Sequence, residues 1–141
     1  MTRLLSKVVA MLALLLALVA CSAPSDTELF VRKDQAQGGV YVFDFPMLDS
    51  LASYDVSFYS RSEKRELGNV ELSVLWLSPS GDSVNETVYM KTITKRGSME
   101  TYRQGVRPAE FGEWRISVRP DVEPGEIAGF GMICKRKDGT R

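Results

Sequence analysis

The chain contains no histidine and only two cysteines in 141 residues. Without an imidazole, histidine-based triads, histidine metal sites and imidazole acid–base schemes are excluded. There is no Gly-rich phosphate loop and no paired-cysteine motif. Neither sign of charge dominates: 18 Lys and Arg balance 18 Asp and Glu, so no electrostatic footprint for nucleic acid exists. Internal repeats and low-complexity segments are missing. So is any apolar run of the roughly twenty residues that a stable membrane span requires.

The longest apolar run goes from Val8 to Val19, behind a positive start at Arg3 and Lys7. Small residues follow and end in Leu18-Val19-Ala20-Cys21. A charged n-region, a short apolar h-region and Leu-x-Ala-Cys together form a bacterial lipoprotein signal. A permanent transmembrane helix is disfavoured because Ser22, Pro24, Ser25 and Asp26 arrive at once after Cys21. An ordinary cleaved signal would leave a free cysteine at the cleavage point without explanation. Cys21 is therefore the expected lipidation site, and several acyl chains, at about 0.8 kcal/mol per buried methylene, make a lasting anchor. Ser22 in place of Asp after that cysteine favours the outer membrane, with either a periplasmic or a surface-facing orientation.

The expected organisation is a signal peptide at 1–20, a lipidated N-terminus and tether at 21–39, and one domain at 40–141. A short strand is possible within the tether at Leu29-Phe30-Val31. Removing residues 1–20 from 141 leaves 121, enough for one domain with its own core. Cys134 is then alone, and its apolar setting, Phe130-Gly131-Met132-Ile133-Cys134, predicts a small buried residue.

From Val40 onward the apolar residues alternate with polar ones. Tyr41, Phe43 and Phe45 share a side, as do Tyr54, Val56 and Phe58, then Val70, Leu72, Val74 and Trp76. Val84, Val88 and Met90 follow, then Trp114, Ile116 and Val118. This is the pattern of half-buried antiparallel strands. Ser78-Pro79-Ser80-Gly81-Asp82-Ser83 predicts a hairpin turn. Further loops are expected at 63–69, 108–112 and 119–125. Seven to eight short strands predict an all-β antiparallel sandwich of Greek-key or jelly-roll type, because a single sheet would leave its aromatic face wet.

Residues suited to chemistry are few. The acids Asp55, Glu71, Glu86, Glu113, Asp121 and Glu123 fall on outward or loop positions, which suits solubility better than a catalytic carboxylate pair. Asp44, Asp49 and Asp82 are weak Ca²⁺ candidates without EF-hand spacing. Lys91, Lys95, Arg96, Arg103 and Arg107 read as a solvated basic stretch. Trp76 and Trp114 lie on the apolar side of their strands and are expected in the core. Tyr59 falls opposite Phe58, near Arg61, and Arg115 and Arg119 alternate with core residues. These four are the candidate binding residues, with Tyr89 similarly turned outward. Asp49-Ser50-Leu51 and Asp82-Ser83-Val84 resemble the Asp-Ser/Thr-apolar O-glycosylation signal of Bacteroidetes.

The order of several segments resembles the gliding-motility lipoprotein GldH family of Bacteroidetes. They are the strand Tyr54 to Arg61, Asn69-Val70-Glu71-Leu72, the Pro79-Ser80-Gly81-Asp82 hairpin, and Asn85-Glu86-Thr87-Val88-Tyr89. Tyr102 to Val106, Gly112 to Arg119 and Ile127 to Met132 continue the series beneath the lipobox. The Gly-x-Trp segment usual between the family's middle strands is replaced here by Lys95-Arg96-Gly97-Ser98, and an early Trp is absent. The resemblance implies an envelope lipoprotein associated with gliding or type IX secretion machinery. The expectation is thus a non-enzymatic protein without cofactor or metal, held to the membrane by lipid and binding envelope proteins rather than nucleic acid. The rival expectation is a carbohydrate-binding module, which requires an aromatic-lined groove.

Overall fold

The computed structural model describes the backbone at residues 2–21, 26–48, 52–123 and 125–138, and the side chains of these except 14–21 and 138. Helix α1, Thr2–Cys21, is mostly Leu, Ala and Val after the charged start at Arg3 and Lys7, and ends at the expected lipidation site. Among the described residues no helix is long and apolar enough to cross a membrane.

Eight strands follow: β1 Asp26–Arg32, β2 Tyr41–Met47, β3 Ala52–Ser62, β4 Leu67–Leu77, β5 Ser83–Ile93, β6 Ser98–Val106, β7 Gly112–Pro120 and β8 Ile127–Asp138. They form two four-stranded sheets, β1-β8-β3-β6 and β2-β7-β4-β5, and the ladders are antiparallel. Apart from the β4–β5 hairpin, each strand crosses to the opposite sheet from the one before it. This order is that of a jelly roll, so the all-β sandwich read from the sequence is the fold.

Alternation places the core between the sheets. In β2, Tyr41, Phe43, Phe45 and Met47 are buried while Val42, Asp44 and Pro46 are exposed. Phe130 of β8 joins the layers. Its ring lies 5.3 Å from Phe58 in its own sheet, and 5.9 Å and 6.3 Å from Tyr41 and Phe43 in the other. The predicted turn closes the β4–β5 hairpin: the Gly81 N–H donates to the Ser78 carbonyl, and Gly81 takes φ +100°, a conformation that glycine adopts without strain.

Two boundaries differ from the sequence reading. The sandwich begins at Asp26, not at 40, because β1 pairs with β8 over all seven of its residues. Thr27, Leu29 and Val31 face inward there, a pattern too short and too interrupted by charge to stand out in the sequence. Residues 22–25, the rest of the expected tether before β1, lie outside the described residues, as does the Asp49-Ser50-Leu51 motif. The basic stretch from 91 to 107 contains β6, an edge strand whose clearly apolar inward positions are only Tyr102 and Val106. The loop after β3 is shorter than expected, since β4 already starts at Leu67, which is buried.

Because Phe130 contacts both layers, Phe130→Ala should cost about 3–5 kcal/mol through lost burial and an uncollapsed cavity. Urea denaturation of the variant should show a midpoint well below the parent's. An unchanged midpoint would remove Phe130 from the centre of the core.

Candidate functional site

Jelly-roll connectivity sorts the loops onto two ends. The start of β1, the 48–51, 78–82 and 107–111 connections and the end of β8 share one end. The 33–40, 63–66, 94–97 and 121–126 connections share the other. The first is the end from which the chain leads back to Cys21.

The four candidate binding residues do not form one site. Tyr59 and Arg61 lie on the outer face of the β1-β8-β3-β6 sheet, whereas Arg115 and Arg119 lie on the outer face of the other sheet, across the sandwich. Arg115 is engaged by Asp44 from the neighbouring strand, with Nε 2.9 Å and Nη2 3.4 Å from the carboxylate oxygens. That pairing raises the guanidinium pKa through the hydrogen bond and the adjacent negative charge. It also occupies Asp44, one of the three Ca²⁺ candidates. Asp49 lies outside the described residues, and among those described no group of three or more His, Cys, Asp or Glu could hold a metal ion.

Tyr59 is half-buried rather than exposed. Its ring meets Phe30 of β1 edge-on at 6.0 Å, above Gly131 of β8. Gly131 and Gly129 make this possible: a Cβ at Gly131 would lie 3.0 Å from the Phe30 ring, and one at Gly129 would run into Phe30 and the Val31 carbonyl. Aromatic cover of strand glycines is a recurrent packing device. Phe30, Gly131, Tyr59 and Met99 stand in register across all four strands. Phe30 is 44% exposed and Met99 65%. Half-buried Ile133 adjoins this row, and beyond it the same face carries Glu28, Arg61, Lys135, and Asp55 paired to Lys137.

The second feature is a groove of about 260 Å³ at the first of these ends, lined by Met47, Trp76, Val84, Trp114, Val106 and Pro108, with Arg103, Glu86 and Arg107 also on its walls. Both tryptophans pack against the core as expected, but half-buried, with one side of each lining this groove. They sit where β4 ends and β7 begins, past the fully packed middle of the sheets. Their rings meet at 76° and 6.1 Å, and both indole N–H groups are used internally: Trp76 donates to the Tyr102 hydroxyl at 2.8 Å, Trp114 to the Glu110 carbonyl at 3.0 Å. Tyr102 in turn stacks on Phe58 at 4.5 Å. Glu86, read from the sequence as an outward acid, is turned into the groove and paired with Arg103. The sequence hid this groove because only the pairing of β6 beside β3 brings Arg103 and Val106 near the tryptophans.

Cys134 is buried as expected, and desolvation pushes its thiol up to about 11, away from thiolate chemistry. Asp55 is held below the usual carboxylate range. The causes are Lys137, whose ammonium donates at 2.6 Å, and the Gly105 N–H, which donates at 2.8 Å where β6 slips register against β3.

No protein-family model matches the chain, and no curated protein matches it. Among solved structures, the fold is similar to part of the dimeric latent PorU of Porphyromonas gingivalis, at 9% identity and a TM-score of 0.41. That match covers 81% of this chain and 13% of PorU. A second similar structure is TmCBM61 in complex with β-1,4-galactotriose, at 15% identity and a TM-score of 0.34, covering 81% of this chain and 82% of that one. At such identities the likeness concerns architecture alone, and no site or activity transfers.

A depressed folded-state pKa means that Asp55 stabilises above the ordinary carboxylate pKa and loses that contribution as pH falls through the lowered value. Asp55→Asn should therefore lower stability by about 0.5–1 kcal/mol at pH 7, the level of a solvent-screened pair. The gap from the parent should shrink steadily as pH falls below the ordinary carboxylate range. Urea midpoints across this range test it, and a gap independent of pH would contradict the role of the charge.

Proposed function

We propose that the chain is a non-enzymatic envelope lipoprotein, anchored in the outer membrane through lipid on Cys21, that binds another envelope protein. The observation that carries this reading is the row Phe30–Tyr59–Met99 across the outer face of the β1-β8-β3-β6 sheet. An exposed apolar row framed by charge is the composition of a protein-docking surface, with aromatic and Met side chains at the centre and charged residues at the rim. Arg61, next outward on β3, belongs to that rim; Arg115 and Arg119, on the opposite face, do not. The ordered resemblance to GldH over most of residues 40–135 directs the search for a partner toward gliding or type IX secretion machinery.

One observation favours a second reading, carbohydrate capture: a groove with two tryptophans exists. It ranks second because the rings form a corner rather than a flat stacking platform. Both indole N–H groups are already used, and Glu86 is paired to Arg103.

A photo-crosslinking residue at Met99 of the lipidated protein, irradiated in native envelopes, should yield one discrete protein adduct. Tyr59→Ala should reduce its yield at least tenfold while a Cys21→Ala chain forms none. An absence of any adduct from Met99, with the protein present in the envelope fraction, contradicts the docking surface. An adduct insensitive to Tyr59→Ala contradicts the role of the aromatic row.

A further inference from the structure

The two ends of the sandwich differ in one property. At the anchor end, Leu48 after β2, Val84 at the start of β5 and Phe111 before β7 are 70%, 64% and 54% exposed. Each follows or precedes a different connection at that end. Among the described residues, the connections at the other end carry no exposed large hydrophobic side chain; they hold Lys33, Asp34, Glu63, Lys64, Arg65, Lys95, Arg96 and Asp121 instead.

The anchor-end loops are also fixed to one another. The Ser80 N–H donates to the Glu110 carboxylate at 3.2 Å, and Pro79 packs so closely on Gly112 that a Cβ there would lie 2.9 Å from its ring. Hydrogen bonds from Ser80 and Ser78 keep the Glu110 carboxyl below its usual range. The exposed apolar side chains are thus presented by a braced surface.

We infer that this end of the sandwich rests on the lipid surface, with Leu48, Val84 and Phe111 entering the headgroup boundary and the Trp76–Trp114 groove opening beside them. The inference rests on the lipidation of Cys21. Its support is the length of chain between anchor and domain: β1 starts at Asp26, so only residues 22–25 separate it from Cys21. Five Cα steps span at most about 18 Å fully extended, less than the thickness of a bilayer's hydrocarbon core. A domain on so short a lead stays within about 18 Å of the interface with its nearest end toward it, and that end is the one bearing the apolar side chains. Arg107 and Lys135 at the same end suit the headgroup layer, where long basic side chains extend toward water. The occupant is lipid rather than protein because this surface adjoins the anchor, and the row at Phe30–Met99 is left free on the side of the domain.

The two tryptophans, both at this end, are native reporters. The full lipidated chain is reconstituted in phosphatidylcholine vesicles whose acyl chains carry bromine, and its emission is compared with that in unbrominated vesicles. At least a third of the emission should be quenched, and Leu48→Glu with Phe111→Glu should remove more than half of that quenching without releasing the protein. Both positions are exposed, so the pair does not endanger folding. A chain that floats with the vesicles but shows unquenched tryptophan overturns the orientation alone. A chain that does not float has no anchor, and the orientation falls with the lipidation reading. Quenching unaltered in the double variant assigns contact to other residues and overturns the role of these two.

Discussion

The pairing of β1 with β8 is the constraint on which the other features depend. It occurs because β8 carries Gly129 and Gly131 where Phe30 needs room, so that the first strand can lie close and seal the sheet. Ser60, buried on β3, donates a 2.7 Å hydrogen bond to the Gly129 carbonyl and holds the same point from the other side. Without that fit the first strand would keep its ladder to β8 but bury little, since its inward face offers only Thr27, Leu29 and Val31. With the fit, the domain starts at Asp26, the lead from Cys21 is short, and Phe30 joins Tyr59 and Met99 in one row.

Function in the proposed account divides between two surfaces that the jelly roll keeps apart. One sheet's outer face carries the apolar row, while one end carries Leu48, Val84, Phe111 and the tryptophan groove. Phe130 couples the layers in the middle, so both surfaces sit on one packed body. The opposite sheet face scatters its exposed Val42 and Tyr89 on separate strands, and there Arg115 serves its neighbour Asp44.

Much of the fold was legible from periodicity. The strict alternation of β2 and the Ser78–Ser83 turn needed no tertiary information, because burial on one face and a glycine at positive φ are local requirements. Edge strands were harder. β1 and β6 bury a single sparse row each, so their sequences look like solvated chain. The candidate sites were least legible: Tyr59 was rightly placed on an outer face, yet its burial comes from Phe30, twenty-nine positions away and two strands over. Trp76 and Trp114 point inward as their alternation says, but inwardness at the end of a strand leads to a groove wall at the edge of the core.

The proposed function stands on chemistry at one residue, the attachment of lipid to Cys21. The most direct measurement is the intact mass of the N-terminal peptide of protein extracted from envelopes. The expected product is a chain that begins at Cys21 and carries the mass of several acyl groups. A chain that retains residues 1–20, or begins at Cys21 with an unmodified thiol, would contradict it.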